Sequence, residues 1–111
     1  MQAPFKDILL YDNLLTDSVP ELSPNGYLEH FEVGYNNMHG TIPELLYTMA
    51  NLKSLDLAAN SFEGTLSTNI GKLTRLEVLA LFTNEFDGTI PTQLGRFGAL
   101  KYVNLAENGF N

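Results

Sequence analysis

The acidic and polar side chains around residues 79–95, LALFTNEFDGTIPTQLG, have the types and spacing that could do chemistry. Glu85 and Asp87 precede a glycine, a composition typical of calcium loops. An EF-hand loop also needs an acidic first ligand and a glutamate six residues after the glycine. Those two positions hold Thr83 and Leu94. We therefore predict no metal site and no cofactor.

A second candidate chemistry is acid–base catalysis by the carboxylates of Glu32 and Asp56, which fall on two predicted neighbouring strands. Adjacent strands lie about 4.8 Å apart, near the roughly 5 Å that separates the carboxylates of retaining glycosidases. Catalysis also needs a desolvated cleft that raises one pKa, and the sequence indicates none. His30 and His39 stand alone, without a second ligand at metal spacing. We predict no catalytic residue and disfavour an enzyme.

Composition excludes several other classes. The 111 residues carry a formal charge of −7, which disfavours binding to a nucleic-acid backbone. Cysteine is absent, so disulfides and thiolate metal sites are excluded within this sequence. No apolar run reaches membrane-spanning length, and we predict no membrane contact by these residues.

The chain contains an internal repeat. Its asparagines recur at spacings of 23, 24, 24 and 24 residues, at Asn13, Asn36, Asn60, Asn84 and Asn108. Each closes a segment of the form L-x-x-L-x-L-x-x-N-x-L, and the segments are FKDILLYDNLL, LEHFEVGYNNM, LKSLDLAANSF, LEVLALFTNEF and LKYVNLAENGF. A fixed period of this length is typical of solenoids, in which stacked units share one core.

These segments, with the GTIPTQLG block at residues 88–95, resemble the plant-type subclass of leucine-rich repeats, LxxLxLxxNxFxGxIPxxLGxLxx. The resemblance implies an α/β fold: a right-handed solenoid with a parallel β-sheet on its concave face and short helical or irregular return segments. We interpret residues 1–111 as a single solenoid segment of about four and a half repeats, starting near residues 5, 28, 52, 76 and 100. Because no capping unit is evident, we expect a fragment of a longer array that could self-associate through uncapped ends.

Local patterns support this architecture. In x-L-x-L-x the leucines alternate with outward residues, as in a half-buried strand. Two inward columns follow, namely Ile8, Phe31, Leu55, Leu79 and Val103, then Leu10, Val33, Leu57, Leu81 and Leu105. A further inward column is predicted from Val19, Ile42, Leu66 and Ile90. Departures at Asp17, Tyr47 and Ser67 affect local detail, and the first return loop, PELSPNGY, is expected to differ.

The repeated asparagines are predicted to form a structural ladder. A buried amide can donate to and accept from the backbone groups of adjacent coils. The five members of this ladder are Asn13, Asn36, Asn60, Asn84 and Asn108.

Outward strand positions are the predicted binding residues, since they have no role in the core. Aromatic and acidic side chains mix there, as in interface anchors. The candidates are Tyr11, Asp12, Glu32, Tyr35, Asp56, Phe82 and Thr83, with Ala80 also facing outward. A separate threonine column, Thr41, Thr65 and Thr89, leaves ice binding as a minor alternative.

By resemblance, we expect a ligand-recognition module from the ectodomain of a receptor-like kinase or receptor-like protein. A soluble scaffold or enzyme inhibitor built from the same repeats is the alternative. The expected partner is a protein or peptide, with carbohydrate as a second ligand class. The resemblance implies an extracellular or secreted location, while a cytoplasmic scaffold stays open.

Overall fold

The computed structural model describes residues 6–19, 26–96 and 98–111, and for Arg96 only the backbone. Most of the first return loop therefore lies outside the described residues, as do Phe5, at the start of the first repeat, and Phe97, at the end of the predicted return turn. Within these ranges the chain coils repeatedly, and each coil contributes a strand to a parallel sheet. Short 3₁₀ helices close three of the coils, at Glu44–Thr48, Thr68–Lys72 and Thr92–Arg96.

The larger sheet has five parallel strands in the order β1-β2-β4-β6-β8. These are β1 (Asp7–Leu9), β2 (His30–Glu32), β4 (Ser54–Asp56), β6 (Val78–Ala80) and β8 (Tyr102–Asn104). Their register places Ile8, Phe31, Leu55, Leu79 and Val103 opposite one another. This is the first predicted inward column, so the repeat alignment and the parallel pairing are confirmed.

A second row of short strands follows the asparagines and was not predicted. It has the order β3-β5-β7-β9, formed by β3 (His39–Gly40), β5 (Ser61–Thr65), β7 (Glu85–Gly88) and β9 (Gly109–Phe110). Phenylalanines from this row stack inside the solenoid. The ring centroids of Phe62 and Phe86 lie 6.4 Å apart, and those of Phe86 and Phe110 lie 6.1 Å apart.

The core runs along the solenoid between the strand rows and the helices. Leu55, Leu57, Leu79 and Leu81 are fully buried, as the alternating pattern predicts. The ends of the predicted columns differ. Leu10 and Val103 are each 45% exposed and Ile90 is 42% exposed. Among the described residues, the strands of the first and fifth coils pair on one side only, and no described residue lies opposite Ile90 in the next coil.

The turn between the two strand rows is left-handed in every coil. The residue before each repeated asparagine has a positive φ of 54–58°, at Asp12, Tyr35, Ala59, Thr83 and Glu107. Such a conformation costs roughly 1–2 kcal/mol for a residue with a side chain. Because it recurs in all five coils, this strain is a property of the architecture rather than of one site.

Asparagine side chains bond the backbone around this turn. Asn36 Nδ2 donates to Val33 O of its own coil at 2.8 Å and to Leu10 O of the preceding coil at 2.9 Å. Its Oδ1 accepts N–H bonds from Asn13 and Leu15 at 3.0 and 3.1 Å. Asn60, Asn84 and Asn108 repeat this bridge one coil further along each time. Asn13 bonds Leu10 and Tyr11 of its own coil.

Two departures from the repeat pattern are in contact. The Ser67 backbone N–H donates to the buried Tyr47 Oη at 3.3 Å. A proline at position 67, as in the consensus, would have no N–H and would need no acceptor. Ser67 also caps the following helix, since its Oγ accepts from Asn69 N at 3.0 Å. Tyr47 thus accepts the hydrogen bond of an N–H group that is present only because position 67 is not proline.

We predict that Asn36→Leu lowers the free energy of unfolding by about 1–3 kcal/mol, because backbone groups of two coils lose their partner. Denaturant unfolding measures the loss. The matched control is Asn37→Leu at the adjacent exposed position, with an expected change within about 0.5 kcal/mol. Equal losses for the two variants would contradict a structural ladder.

We predict that Tyr47 and Ser67 are energetically coupled. Tyr47→Phe should destabilise the chain by about 1–3 kcal/mol, since it strands the Ser67 N–H. The same change should cost less in a Ser67→Pro background, which the Ser67 backbone accommodates with φ −67°. A double-mutant cycle of unfolding free energies checks this, and additive losses would show that the hydrogen bond contributes nothing.

Candidate functional site

Outward side chains of the five-stranded sheet and of the residues just after it form one surface, here called the sheet face. Alternation along each strand brings its outward positions to this side, opposite the leucine core. All seven predicted binding residues are exposed or partly exposed on or beside it, namely Tyr11, Asp12, Glu32, Tyr35, Asp56, Phe82 and Thr83. Asp12, Tyr35 and Thr83 occupy the left-handed turn of their coils. Ala80 lies in register with Asp56 and Asn104, but only 3% of it is exposed, so it offers no free surface to a ligand.

Three aromatic rings form a row across the coils. The ring centroids of Tyr11 and Tyr35 are 5.2 Å apart, and those of Tyr35 and Phe82 are 6.3 Å apart in an edge-to-face arrangement. Tyr35 and Phe82 belong to the second and fourth coils, whose strands are separated by about 9.6 Å at 4.8 Å per step. The third coil carries only Ala58 and Ala59 between them. These small residues leave room for the rings to approach each other.

Asp56 lies beside this row in a position that Gly34 makes accessible. Its Oδ1 accepts the Ala58 N–H at 3.0 Å. A Cβ added at Gly34 would lie 2.9 Å from Asp56 Oδ1 and 3.2 Å from Tyr11 Cε2. A methyl group at this position would push the carboxylate and the ring aside, so the glycine lets both approach the backbone of the second coil closely.

Burial raises the pKa of the Asp56 carboxyl, the Ala58 N–H partly offsets that effect, and the negative charge of Glu32 adds to the rise. Glu32 is the register partner of Asp56 on the neighbouring strand, as the sequence predicted. The pKa of the Tyr11 hydroxyl is also raised, first by desolvation and then by Tyr35, Asp56 and Asp12. Tyr11 therefore lies within electrostatic range of Asp56, which in turn lies within range of Glu32.

Lysine side chains of the larger sheet are confined to one column at its edge. One edge column alternates in sign from coil to coil, through Lys6, Glu29, Lys53, Glu77 and Lys101. Ion pairs join Glu29 to Lys53 at 3.3 Å and Glu77 to Lys101 at 3.2 Å. The hydrogen bond from Lys53 lowers the pKa of Glu29.

The remaining columns of the sheet face carry acids but no lysine or arginine. The acids are Asp7, Asp12, Glu32, Asp56 and Glu107. His30 lies between two of them, with Nε2 3.9 Å from Asp7 Oδ1 and Nδ1 3.7 Å from Glu32 Oε2. The ring row is therefore set in a surface of negative charge.

Two residues that shape the sheet face were not among the predicted binding residues. Glu107 accepts a hydrogen bond from Thr83 Oγ1 at 2.8 Å, which fixes the threonine hydroxyl. Both residues occupy the left-handed position of neighbouring coils, and comparing that column would have paired them. The second residue is Gly34. Its role depends on two side chains from different coils, which a single repeat cannot reveal.

Within the described ranges, no group of three or more His, Asp or Glu side chains is placed to hold a metal ion. The same part of the chain contains no helix of the length and hydropathy needed to cross a membrane. Its helices are 3₁₀ segments of five residues each.

The class of fold is that of a leucine-rich-repeat solenoid. Residues 51–73, which include the third strand of the larger sheet, match the Leucine Rich Repeat family model. Among curated proteins, none matches this sequence.

Solved structures identify the relatives more narrowly. The HAESA receptor kinase from Arabidopsis, in complex with the peptide hormone IDA and the co-receptor SERK1, is 31% identical, with a TM-score of 0.88 over 95% of this chain and 18% of that one. PEPR1 in complex with AtPEP1 is 30% identical, with a TM-score of 0.90 over 96% and 15%. The BIR3–SERK2 complex from Arabidopsis thaliana is 27% identical, with a TM-score of 0.83 over 94% and 56%. The resemblance to plant leucine-rich-repeat receptors is thereby confirmed.

The chain spans 56%, 15% and 18% of the lengths of the chains that it matches in the BIR3–SERK2, PEPR1 and HAESA structures. The likeness therefore concerns a run of repeats and not a whole receptor.

We predict that Asp56→Asn stabilises the chain at pH 7 by less than about 1 kcal/mol, because the side chain is partly solvated. A raised pKa means that the stability contribution is present below the ordinary carboxyl range and is lost as the pH rises through the raised value. At pH 3 the variant and the parent should be equally stable. Denaturant unfolding at both pH values tests this, with the exposed Asp87→Asn as a control that removes the same charge. A variant less stable than the parent at pH 7 would contradict it.

Proposed function

We propose that this chain is part of the ligand-recognition ectodomain of a receptor-like kinase or receptor-like protein, and that it binds a protein or peptide on the sheet face. It acts by recognition and not by catalysis, and any kinase activity would belong to another part of a parent protein. The observation that carries this proposal is the row of Tyr11, Tyr35 and Phe82, whose rings are in contact and face outward. Exposed aromatic groups ringed by polar ones are typical interface anchors.

The similar structures support a ligand of this kind. HAESA is solved with a peptide hormone and a co-receptor, and PEPR1 is solved with AtPEP1. By the same likeness we propose an extracellular location and a longer repeat array around residues 1–111. The negative charge around the rings favours a basic or hydroxyl-rich segment of the partner.

A soluble scaffold or an enzyme inhibitor is the second candidate, and a transmembrane segment in the parent protein would separate it from a receptor. A carbohydrate that stacks on the rings is the second candidate ligand class. The exposure of Leu9, Leu10 and Leu14 on the first coil supports self-association through apolar coil surfaces as a further proposal.

We predict that random dodecapeptides displayed on phage, selected on the immobilised chain, yield binders that require the ring row. For these synthesised peptides, the Tyr35→Ser/Phe82→Ser variant should weaken binding at least about thirty-fold, the loss expected of a hot spot near 2 kcal/mol. Ile90→Ser removes an exposed apolar side chain away from the sheet face and should change affinity by less than about two-fold.

Calorimetry on the two variants gives the affinities, and circular dichroism shows that both are folded. A selection without binders, or binders that tolerate loss of both rings, would contradict recognition on this face.

A further inference from the structure

Tyr11 lies beside Tyr35 and close to Asp56 on the sheet face, and these three residues are here called the tyrosine–aspartate site. The two tyrosines are 51% and 44% exposed, and their ring planes are inclined at 50°. The Asp56 carboxylate is half-buried beside Tyr11, held there by the Ala58 N–H. Gly34 beneath them lets both groups approach the backbone of the second coil. An aromatic face and a fixed acceptor are thus available to one group arriving from solvent.

The charge of Asp56 is not needed for its local hydrogen bond. Asn104 occupies the equivalent position of the fifth coil, and its Oδ1 accepts the Ala106 N–H at 3.0 Å. That bond has the same length as the one from Ala58 to Asp56. A neutral amide therefore does the structural work in one coil, while the third coil keeps a carboxylate that is partly removed from water.

No lysine or arginine of the described chain forms an ion pair with Asp56. The lysines of the sheet lie in the edge column, where they alternate with Glu29 and Glu77. A partly desolvated carboxylate gains most from a cation that also replaces its lost water contacts. The Asp56 carboxylate is therefore available to pair with a basic group of a ligand.

We propose that the tyrosine–aspartate site receives the guanidinium group of an arginine side chain in a peptide that crosses the sheet face. The planar guanidinium stacks on an exposed tyrosine ring and donates hydrogen bonds to the Asp56 carboxylate. A lysine ammonium would reach the carboxylate as a point charge but would lack the stacked plane. Gly34 acts as a positioning residue, since it sets the distance between ring and carboxylate. This inference rests on the proposed function and names a side chain that its ligand would carry.

The test is an NMR titration of the ¹⁵N-labelled chain with Nα-acetyl-arginine amide and with its neutral isostere Nα-acetyl-citrulline amide. We expect the arginine probe to shift the amide signals of Gly34, Tyr35 and Ala58, with an apparent Kd at least about ten-fold below that of the citrulline probe. Nα-acetyl-lysine amide should bind more weakly than the arginine probe. Equal responses to the arginine and citrulline probes, or shifts elsewhere on the chain, would overturn the proposal.

Matched variants locate the effect. Asp56→Asn should remove the preference for arginine over citrulline while it keeps the Ala58 hydrogen bond, as Asn104 does in its own coil. Asp87→Asn removes an equal charge on β7 and should leave the preference unchanged. Gly34→Ala should weaken arginine binding by moving the carboxylate and the ring apart, and unchanged binding in this variant would overturn the positioning role.

Failure of this inference is distinguishable from failure of the proposed function. If phage selection yields binders that need Tyr35 and Phe82 but the arginine probe is not preferred, only the guanidinium site is wrong. A selection without such binders would contradict both the proposed recognition function and the guanidinium site that depends on it. Replacing arginine by citrulline within a selected peptide gives the same decision in the full ligand, where a ten-fold or greater loss is expected.

Discussion

The side-chain amide between successive coils is the interaction on which this structure depends. The chain must leave the larger sheet through a left-handed residue in every coil, and that conformation is costly for anything but glycine. An asparagine follows directly, and its side-chain amide bonds backbone groups of two coils. These bonds stabilise the strained turn. This bridge links each coil to the one before it at the point where the chain leaves the larger sheet. The fold therefore tolerates Tyr35 or Thr83 at a strained position, because the neighbouring asparagine determines the path of the chain.

That division frees the sheet face for recognition. Leucines and phenylalanines serve the core and asparagines serve the turn, so outward positions can vary without loss of the fold. The variation is nevertheless constrained by neighbouring coils. The small residues Ala58 and Ala59 let rings two coils apart meet, and Gly34 lets a ring and a carboxylate share one place. The small residues of some coils therefore shape the sheet face as much as the aromatic and acidic residues of the others.

The period of the sequence predicts most of the fold and less of the site. Leucine spacing determined the five strands and their register, since a slip of one residue would turn Leu55 and Leu79 to solvent. The second strand row escaped prediction because each of its strands contains at most one large apolar residue, so the sequence shows no alternation there. Burial of Ala80 and exposure of Ile90 depend on what the adjacent coil provides, which no single repeat encodes. The repeat pattern predicts which column each candidate residue occupies. Contacts between columns, such as that of Tyr11 with Tyr35, depend on side-chain conformations that the pattern does not encode.

The edge column of alternating lysines and glutamates bears on how the solenoid assembles. Repeats of similar sequence can pair wrongly when one coil is looped out and its two neighbours stack directly. Such a skip would set Lys6 against Lys53, or Glu29 against Glu77, and the like charges would repel. The correct order places opposite charges in contact, as Lys53 and Glu29 show. Each pair is worth little on an exposed surface, yet the penalty recurs along the column. The charges of this column therefore favour the uninterrupted order of coils over an order that omits one.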